Sequence, residues 1–207
     1  MTVLEDASAI AGQITELRHA IHREPEIGLD LPATQQKVVA ALKGLPVDVT
    51  LGRSLTSVTA VLRGGRPGPA VLLRADMDAL PVTEATGAPF ASRIDGVMHA
   101  CGHDLHTAML AGAARILSER QPDLPGSVIF MFQPGEENGG GARIMIGEGV
   151  LDAAGERPVA AYALHVFSDL LGSGKFATRP GPALAASDSI TVTVRGRGGH
   201  ASVPHVN

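Results

Sequence analysis

Apolar residues recur along this chain with two periods, and the periods alternate in a regular order. Ile10, Ile14, Leu17 and Ile21 fall on one face at helical spacing, and Pro25 ends that helix. A second helix is expected from about Pro32 through Val38, Val39 and Leu42. Ser57 to Arg63 reads as a strand, Gly64-Gly65-Arg66-Pro67-Gly68 as a turn, and Ala70 to Ala75 as a near-continuous apolar strand. A helix from about His106 to Glu119 leads into a strand from Ser127 to Phe132. A Gly-rich loop, a short helix through Ile144 and Ile146, and a strand from Val159 to Leu164 complete the series. Strands alternating with helices imply βαβ units and an α/β fold. In such sheets functional groups gather beyond the carboxyl ends of the strands. Here Asp76 with Asp78, Glu136 with Glu137, and His165 each follow a strand closely.

Near Ala186 the rhythm changes. Ile190, Val192 and Val194 alternate with Thr191, Thr193 and Arg195, the period of a half-exposed antiparallel strand, and Gly196 to Gly199 interrupts it. A strand from Ser189 to Arg195 is therefore expected, opening a second domain over residues 186–207 after a first over residues 1–185. No partner strand follows within the new unit, so the expectation is a shortened chain or half of a larger protein.

Composition narrows the function classes. The formal net charge is -4 with a pI near 6.0, and no Lys/Arg cluster stands out. Nucleic acid and anionic membrane surfaces are thus poor partners, and a small-molecule substrate is the default. Glu5 and Asp6 sit where a secretory signal would carry positive charge. No apolar run approaches the roughly 18 residues of a membrane span, and a cytoplasmic location is expected. One cysteine excludes an internal disulfide. It leaves Cys101 as a buried small hydrophobe, a nucleophile or a metal ligand.

The candidate chemistry lies in three separated places: Cys101-Gly102-His103, the adjacent Glu136-Glu137, and His165. Thiolate, imidazole and carboxylate arriving on separate loops suit a metal-assisted hydrolase. In a double Glu, one carboxylate can bind metal while its neighbour handles a proton. The run from His99 to His106 holds little apolar material that would justify burial, which favours ligand roles for Cys101 and His103. His99 and His106 are not expected to ligate directly, and Asp104 is expected to orient an imidazole. Asp76 and Asp78 alone could simply cap a turn before Pro81, and a lone His at a strand end such as His165 is more often a satisfied core residue. A cysteine hydrolase using Cys101 and a nearby His is a rival, although it leaves Glu136-Glu137 without a task. A non-catalytic metal-binding module is the other rival.

Five ordered strings carry a family resemblance: RADMDALP (Arg74 to Pro81), MHACGHDLHTA (Met98 to Ala108), FQPGEE (Phe132 to Glu137), ALHV (Ala163 to Val166) and GRGGHASVPH (Gly196 to His205). They resemble peptidase family M20, the di-metal peptidases related to aminoacylase and carboxypeptidase G. More narrowly they resemble its amidohydrolase branch, which includes hippurate hydrolase, N-acyl-amino-acid deacylases and plant indole-acetyl-amino-acid hydrolases. LRHAIHREPEIG (Leu17 to Gly28) extends the likeness over nearly the whole chain.

The resemblance implies a three-layer, mixed-sheet α/β catalytic domain over residues 1–185 and the first strand of an α+β lid, or dimerisation, domain over residues 186–207. It implies two divalent metal ions bridged by Cys101, with His103 and Glu137 on one side and His165 on the other. Glu136 would be the general acid/base acting on the bridging water, and Asp78 would orient a metal-ligand His. His200 would reach across the interface of a homodimer to polarise the scissile carbonyl. The implied substrate is an N-acyl amino acid, N-acetyl or N-benzoyl for example, with a di- or aminopeptidase as the alternative. Thiolate favours zinc, while imidazole and carboxylate also accept manganese, cobalt or nickel. Full members continue through the rest of the lid and supply a further metal-binding His. Residues 1–207 taken alone are therefore expected to be inactive.

Overall fold

The computed structural model describes residues 2–168, 170, 172–184, 190–200, 202 and 205. The chain forms two compact units, Met1–Val166 and Phe167–Asn207.

In the first unit, helix α1 (Val3–Arg23) starts at a reciprocal cap in which Glu5 N–H donates to Thr2 Oγ1 at 3.3 Å and Thr2 N–H donates to Glu5 Oε2 at 2.7 Å. The acidic Glu5 and Asp6 thus begin a helix, where they suit the positive end of its dipole. Helix α2 (Pro32–Leu42) has Pro at its first turn, where a missing N–H costs nothing. Strands β1 (Val47–Leu51) and β2 (Val58–Arg63) form an antiparallel pair, followed by β3 (Val71–Asp76). Helix α3 (His103–Glu119), β4 (Ser127–Gln133), α4 (Gly141–Gly147) and β5 (Ala160–Ala163) complete the unit. The sheet order is β1-β2-β4-β3-β5, with β4, β3 and β5 parallel and β2 antiparallel to β4. This is a mixed α/β fold on a five-stranded mixed sheet.

β4 lies at the centre and its side chains alternate between two cores. Val128, Phe130 and Phe132 face the layer holding α2 and α3, packing with Val38, Leu42, Leu110 and Ala114. Ile129 and Met131 face the opposite layer, with Leu72, Met145 of α4 and Val150. Burial on both faces explains why β3 and β4 read as continuous apolar runs. It also leaves their carboxyl ends, Asp76 and Gln133, as the places where polar side chains emerge.

Three elements differ from expectation. β1 has no counterpart in the sequence reading because it is an almost wholly exposed edge strand, defined by pairing such as Val49↔Ala60 rather than by burial. α3 begins at His103 rather than near His106, since Gly102 takes φ 81 and its carbonyl accepts the amides of Leu105 at 3.0 Å and His106 at 3.3 Å. That first turn is polar, so apolar periodicity cannot report it. The strand expected from Ser189 to Arg195 does not form at the described positions 190–195, where Ile190, Val192 and Val194 are 87%, 78% and 90% exposed. Alternation makes a strand only when a neighbour accepts and donates its backbone hydrogen bonds. Among the described residues of the second unit there is no α-helix or β-strand. Ala185, Ala186 and Ser189, where the domain change and that strand were expected to begin, lie outside the described residues. Among the described residues no helix is long and apolar enough to cross a membrane.

Candidate functional site

Past the ends of β3, β4 and β5, and at the start of α3, the chain gathers side chains of the kinds that can hold a metal ion. Ligand atoms of Cys101, His103 and His165 all lie within 4.8 Å of one another, as do those of His103, Glu136 and Glu137. His103 belongs to both groups and is the junction of the site. Cys101 Sγ stands 3.5 Å from His165 Nε2. His103 Nε2 stands 3.8 Å from Glu137 Oε1 and 3.9 Å from Glu136 Oε2.

The ring orientations follow from the hydrogen bonds. A carbonyl only accepts, so His103 Nδ1–H donates to the carbonyl of Asp78 at 2.8 Å and turns the lone pair of Nε2 toward the glutamates. Among the described residues His103 Nε2 and Glu137 Oε1, both buried, have no hydrogen-bond partner. Buried polar atoms left in this way are expected where an ion belongs. His165 Nδ1–H likewise donates to the Val166 carbonyl at 2.7 Å, so Nε2 faces the thiol. The donor set of thiolate, imidazoles and carboxylates therefore fits a divalent metal.

Asp78 does more than the sequence reading assigned to it. Its backbone carbonyl, rather than its carboxylate, makes the 2.8 Å bond that orients His103, while the nearer carboxylate oxygen is 3.5 Å from that ring nitrogen. The carboxylate accepts the backbone N–H groups of Glu136 at 2.9 Å and Glu137 at 3.1 Å. One residue thus ties the His103 ring to the Glu136-Glu137 turn. Burial pushes the Asp78 carboxyl up, but the His103 ring beside it and the two amides outweigh burial and hold it below the usual range. The turn itself is tight: a Cβ on Gly141 would come within 1.8 Å of the Pro134 carbonyl oxygen.

The field of the site is strongly negative. Burial, and then Glu137, Asp76 and Glu136, push the Cys101 thiol up to about 12. Burial favours a neutral His103, yet Asp78, Asp76 and Glu137 raise its pKa. A dication would relieve both effects and hold the thiol deprotonated. As a free nucleophile, by contrast, Cys101 in this setting is a poor thiolate.

The two glutamates divide by burial rather than distance. The Glu137 side chain is 23% exposed with a buried oxygen turned to His103, whereas the Glu136 side chain is 41% exposed. His200 lies in the second unit, exposed, with Nδ1 2.8 Å from Ser202 Oγ.

Around this centre the structure gives partners to residues that the sequence reading kept out of the ligand set. His106 is buried and its Nδ1 meets Asp76 Oδ1 at 2.6 Å, so Asp76 receives an imidazole of α3 rather than capping a turn. The signal available was a charged Arg74 and Asp76 inside an otherwise apolar strand. Asp104 does orient an imidazole, but that of His22 at 2.8 Å, with Arg18 Nε also 2.8 Å from the same oxygen. His99 is buried, neither ring nitrogen has a hydrogen-bond partner among the described residues, and burial pushes its pKa down to about 4.

Gly102 serves the site twice. Its left-handed φ of 81° disfavours any Cβ by about 1–2 kcal/mol. A Cβ there would also approach Val166 Cγ2 to 2.4 Å, next to His165. Gly102→Ala is expected to add about 1–3 kcal/mol of overpacking to that strain and to move His165 away from Cys101. Thermal unfolding together with zinc content checks this, and unchanged zinc binding would dissociate Val166 from the site.

The chain matches the model of Peptidase family M20/M25/M40 over residues 72–206. It is 42% identical over 203 residues to thermostable carboxypeptidase 2 of Saccharolobus solfataricus, covering 97% of this chain and 50% of that protein. It is 37% identical over 194 residues to N-acetylcysteine deacetylase of Bacillus subtilis, covering 93% of this chain and 50% of that protein. A solved structure of a dinuclear metal binding peptidase from the M20 family of Bacillus subtilis superposes with a TM-score of 0.73 at 38% identity, covering 78% of this chain and 44% of that one. The chain spans about half the length of the curated relatives it matches.

Proposed function

We propose, from the premise that this chain belongs to peptidase family M20/M25/M40, that it serves a metal-dependent amidohydrolase cleaving the amide bond of N-acyl amino acids, N-acetyl or N-benzoyl among them. The observation that carries the proposal is the convergence of Cys101, His103 and His165 beside Glu137, with buried lone pairs on His103 Nε2 and Glu137 Oε1 that no hydrogen bond among the described residues satisfies. Cys101 would lie between two divalent ions, with His103 and Glu137 holding one and His165 the other. Zinc or manganese suits this set, with cobalt or nickel as alternatives. Such ions, when bound, polarise a carbonyl oxygen and make water a nucleophile at neutral pH.

The protein's own part is positioning and proton transfer. Glu136, the more exposed carboxylate, accepts the proton of the attacking water and returns it to the amino nitrogen that leaves. Asp78 holds the Glu136-Glu137 turn by the backbone amides of both residues. His200 is proposed to polarise the scissile carbonyl from the lid of a second subunit in a homodimer. The cytoplasm is the proposed compartment, where a lone thiol such as Cys101 stays reduced.

Both relatives' names describe hydrolysis of an amide at an amino acid, one releasing it from a peptide and the other from an acetyl group. Paired assays on N-acetyl and N-benzoyl amino acids and on dipeptides, with and without chelator, test the reading. Preference for dipeptides would replace the acyl substrate, and insensitivity to chelator would replace the metal. Cys101 gives an independent check. As a metal-held thiolate it should resist alkylation in the loaded protein and react after chelation. Equal labelling rates would remove it from the centre.

A further inference from the structure

We propose that His106 is a positioning residue for the metal centre: clamped by Asp76, its ring holds the Val166 peptide and through it aims His165 at Cys101. The inference rests on the metal reading above and extends it to residues outside the Cys101 group.

His165 needs such a device because of where it stands. The ladder between β3 and β5 ends at the pair Arg74↔Ala163, so Leu164 to Val166 lie beyond regular pairing. The His165 side chain is exposed, and packing alone does not set its direction. Its backbone is set instead by α3. Val166 N–H donates to His106 Nε2 at 3.0 Å, and the Val166 carbonyl accepts His165 Nδ1–H at 2.7 Å. One residue is therefore held by His106 on its amide and holds His165 by its carbonyl.

His106 is in turn held without slack. Its Nδ1 lies 2.6 Å from Asp76 Oδ1, and because a carboxylate only accepts, that nitrogen carries the hydrogen. The other Asp76 oxygen accepts Arg74 Nη1–H at 2.6 Å, and Arg74 Nε–H donates to Gln133 Oε1 at 2.9 Å. Thr107 Oγ1–H donates to the Asp76 carbonyl at 2.8 Å. Every polar atom of the His106 ring is used, and both Asp76 and His106 are buried. Asp76, His103 and His106 also bring ligand atoms within 4.8 Å of one another. The Val166 N–H already occupies the one lone pair His106 offers, so the ring supports a ligand instead of being one.

The test uses the chain loaded with cobalt, comparing the unsubstituted protein with His106→Phe and His106→Gln. Phe keeps a ring and removes both nitrogens, while Gln restores one donor and one acceptor. Phe is expected to weaken cobalt binding about 10–100-fold, to diminish the thiolate-to-cobalt absorption and to speed amide exchange at Val166, with Gln recovering most of the loss. Equal cobalt affinity in the Phe variant, with the unsubstituted chain binding metal, overturns this inference alone. No metal in the unsubstituted chain overturns the metal reading and this inference with it. If the Phe variant does not fold, nitrogen NMR of His106 in the unsubstituted protein decides. The Nδ1–H tautomer with a hydrogen-bonded Val166 amide supports the inference, and the Nε2–H tautomer overturns it.

Discussion

In whatever full-length context the enzyme works, Glu136→Gln should lower hydrolysis of N-acyl amino acids by about 10²–10⁴ relative to the unsubstituted enzyme while leaving metal content unchanged. The amide keeps the shape of the side chain but cannot take a proton from water. Because Asp78 holds this turn through the backbone amides of Glu136 and Glu137, the substitution leaves the turn and its neighbour in place. Glu137→Gln should do the reverse, losing metal, since the buried oxygen beside His103 is its own. Metal analysis alongside steady-state rates separates the two. Loss of metal from the Glu136 variant would mean that the two carboxylates have exchanged roles.

The second large effect is expected at His103. His103→Ala should abolish tight metal binding, costing more than the roughly 10–100-fold that loss of a supporting partner costs. Among the described residues it stands in each of the three groupings of potential ligands, so its removal breaks all of them. It also leaves Asp76, Asp78, Glu136 and Glu137 facing one another without the imidazole that Asp76 and Asp78 now hold. Metal stoichiometry and isothermal titration with zinc measure the loss. A variant that binds zinc as the unsubstituted chain does would move the centre away from His103.

The elements buried on both faces were legible from order along the chain. The apolar runs of β3 and β4 and the helical spacing of Ile10 to Ile21 announce themselves because burial demands them. Where pairing or a polar turn decides, the linear pattern falls silent: β1 is exposed, and the first turn of α3 carries His103, Asp104 and His106. The alternation from Ile190 to Val194 forms no strand at the described positions for the complementary reason, since it signals a face and does not specify a pairing partner.

The same division runs through the site. Residue type and order determined by themselves that Cys101, His103, Glu136, Glu137 and His165 would be the candidate ligands and bases, because those side chains have few other uses in strings such as ACGHD and PGEE. Only the tertiary structure decided which nitrogen of each ring faces the centre, since a tautomer is set by the partner of the other nitrogen, and those partners are the backbone of Asp78 and Val166. It also decided that the Asp78 carboxylate serves the Glu136-Glu137 turn and that Asp76 serves His106. These contacts join residues far apart in the chain, and local pattern carries no record of them.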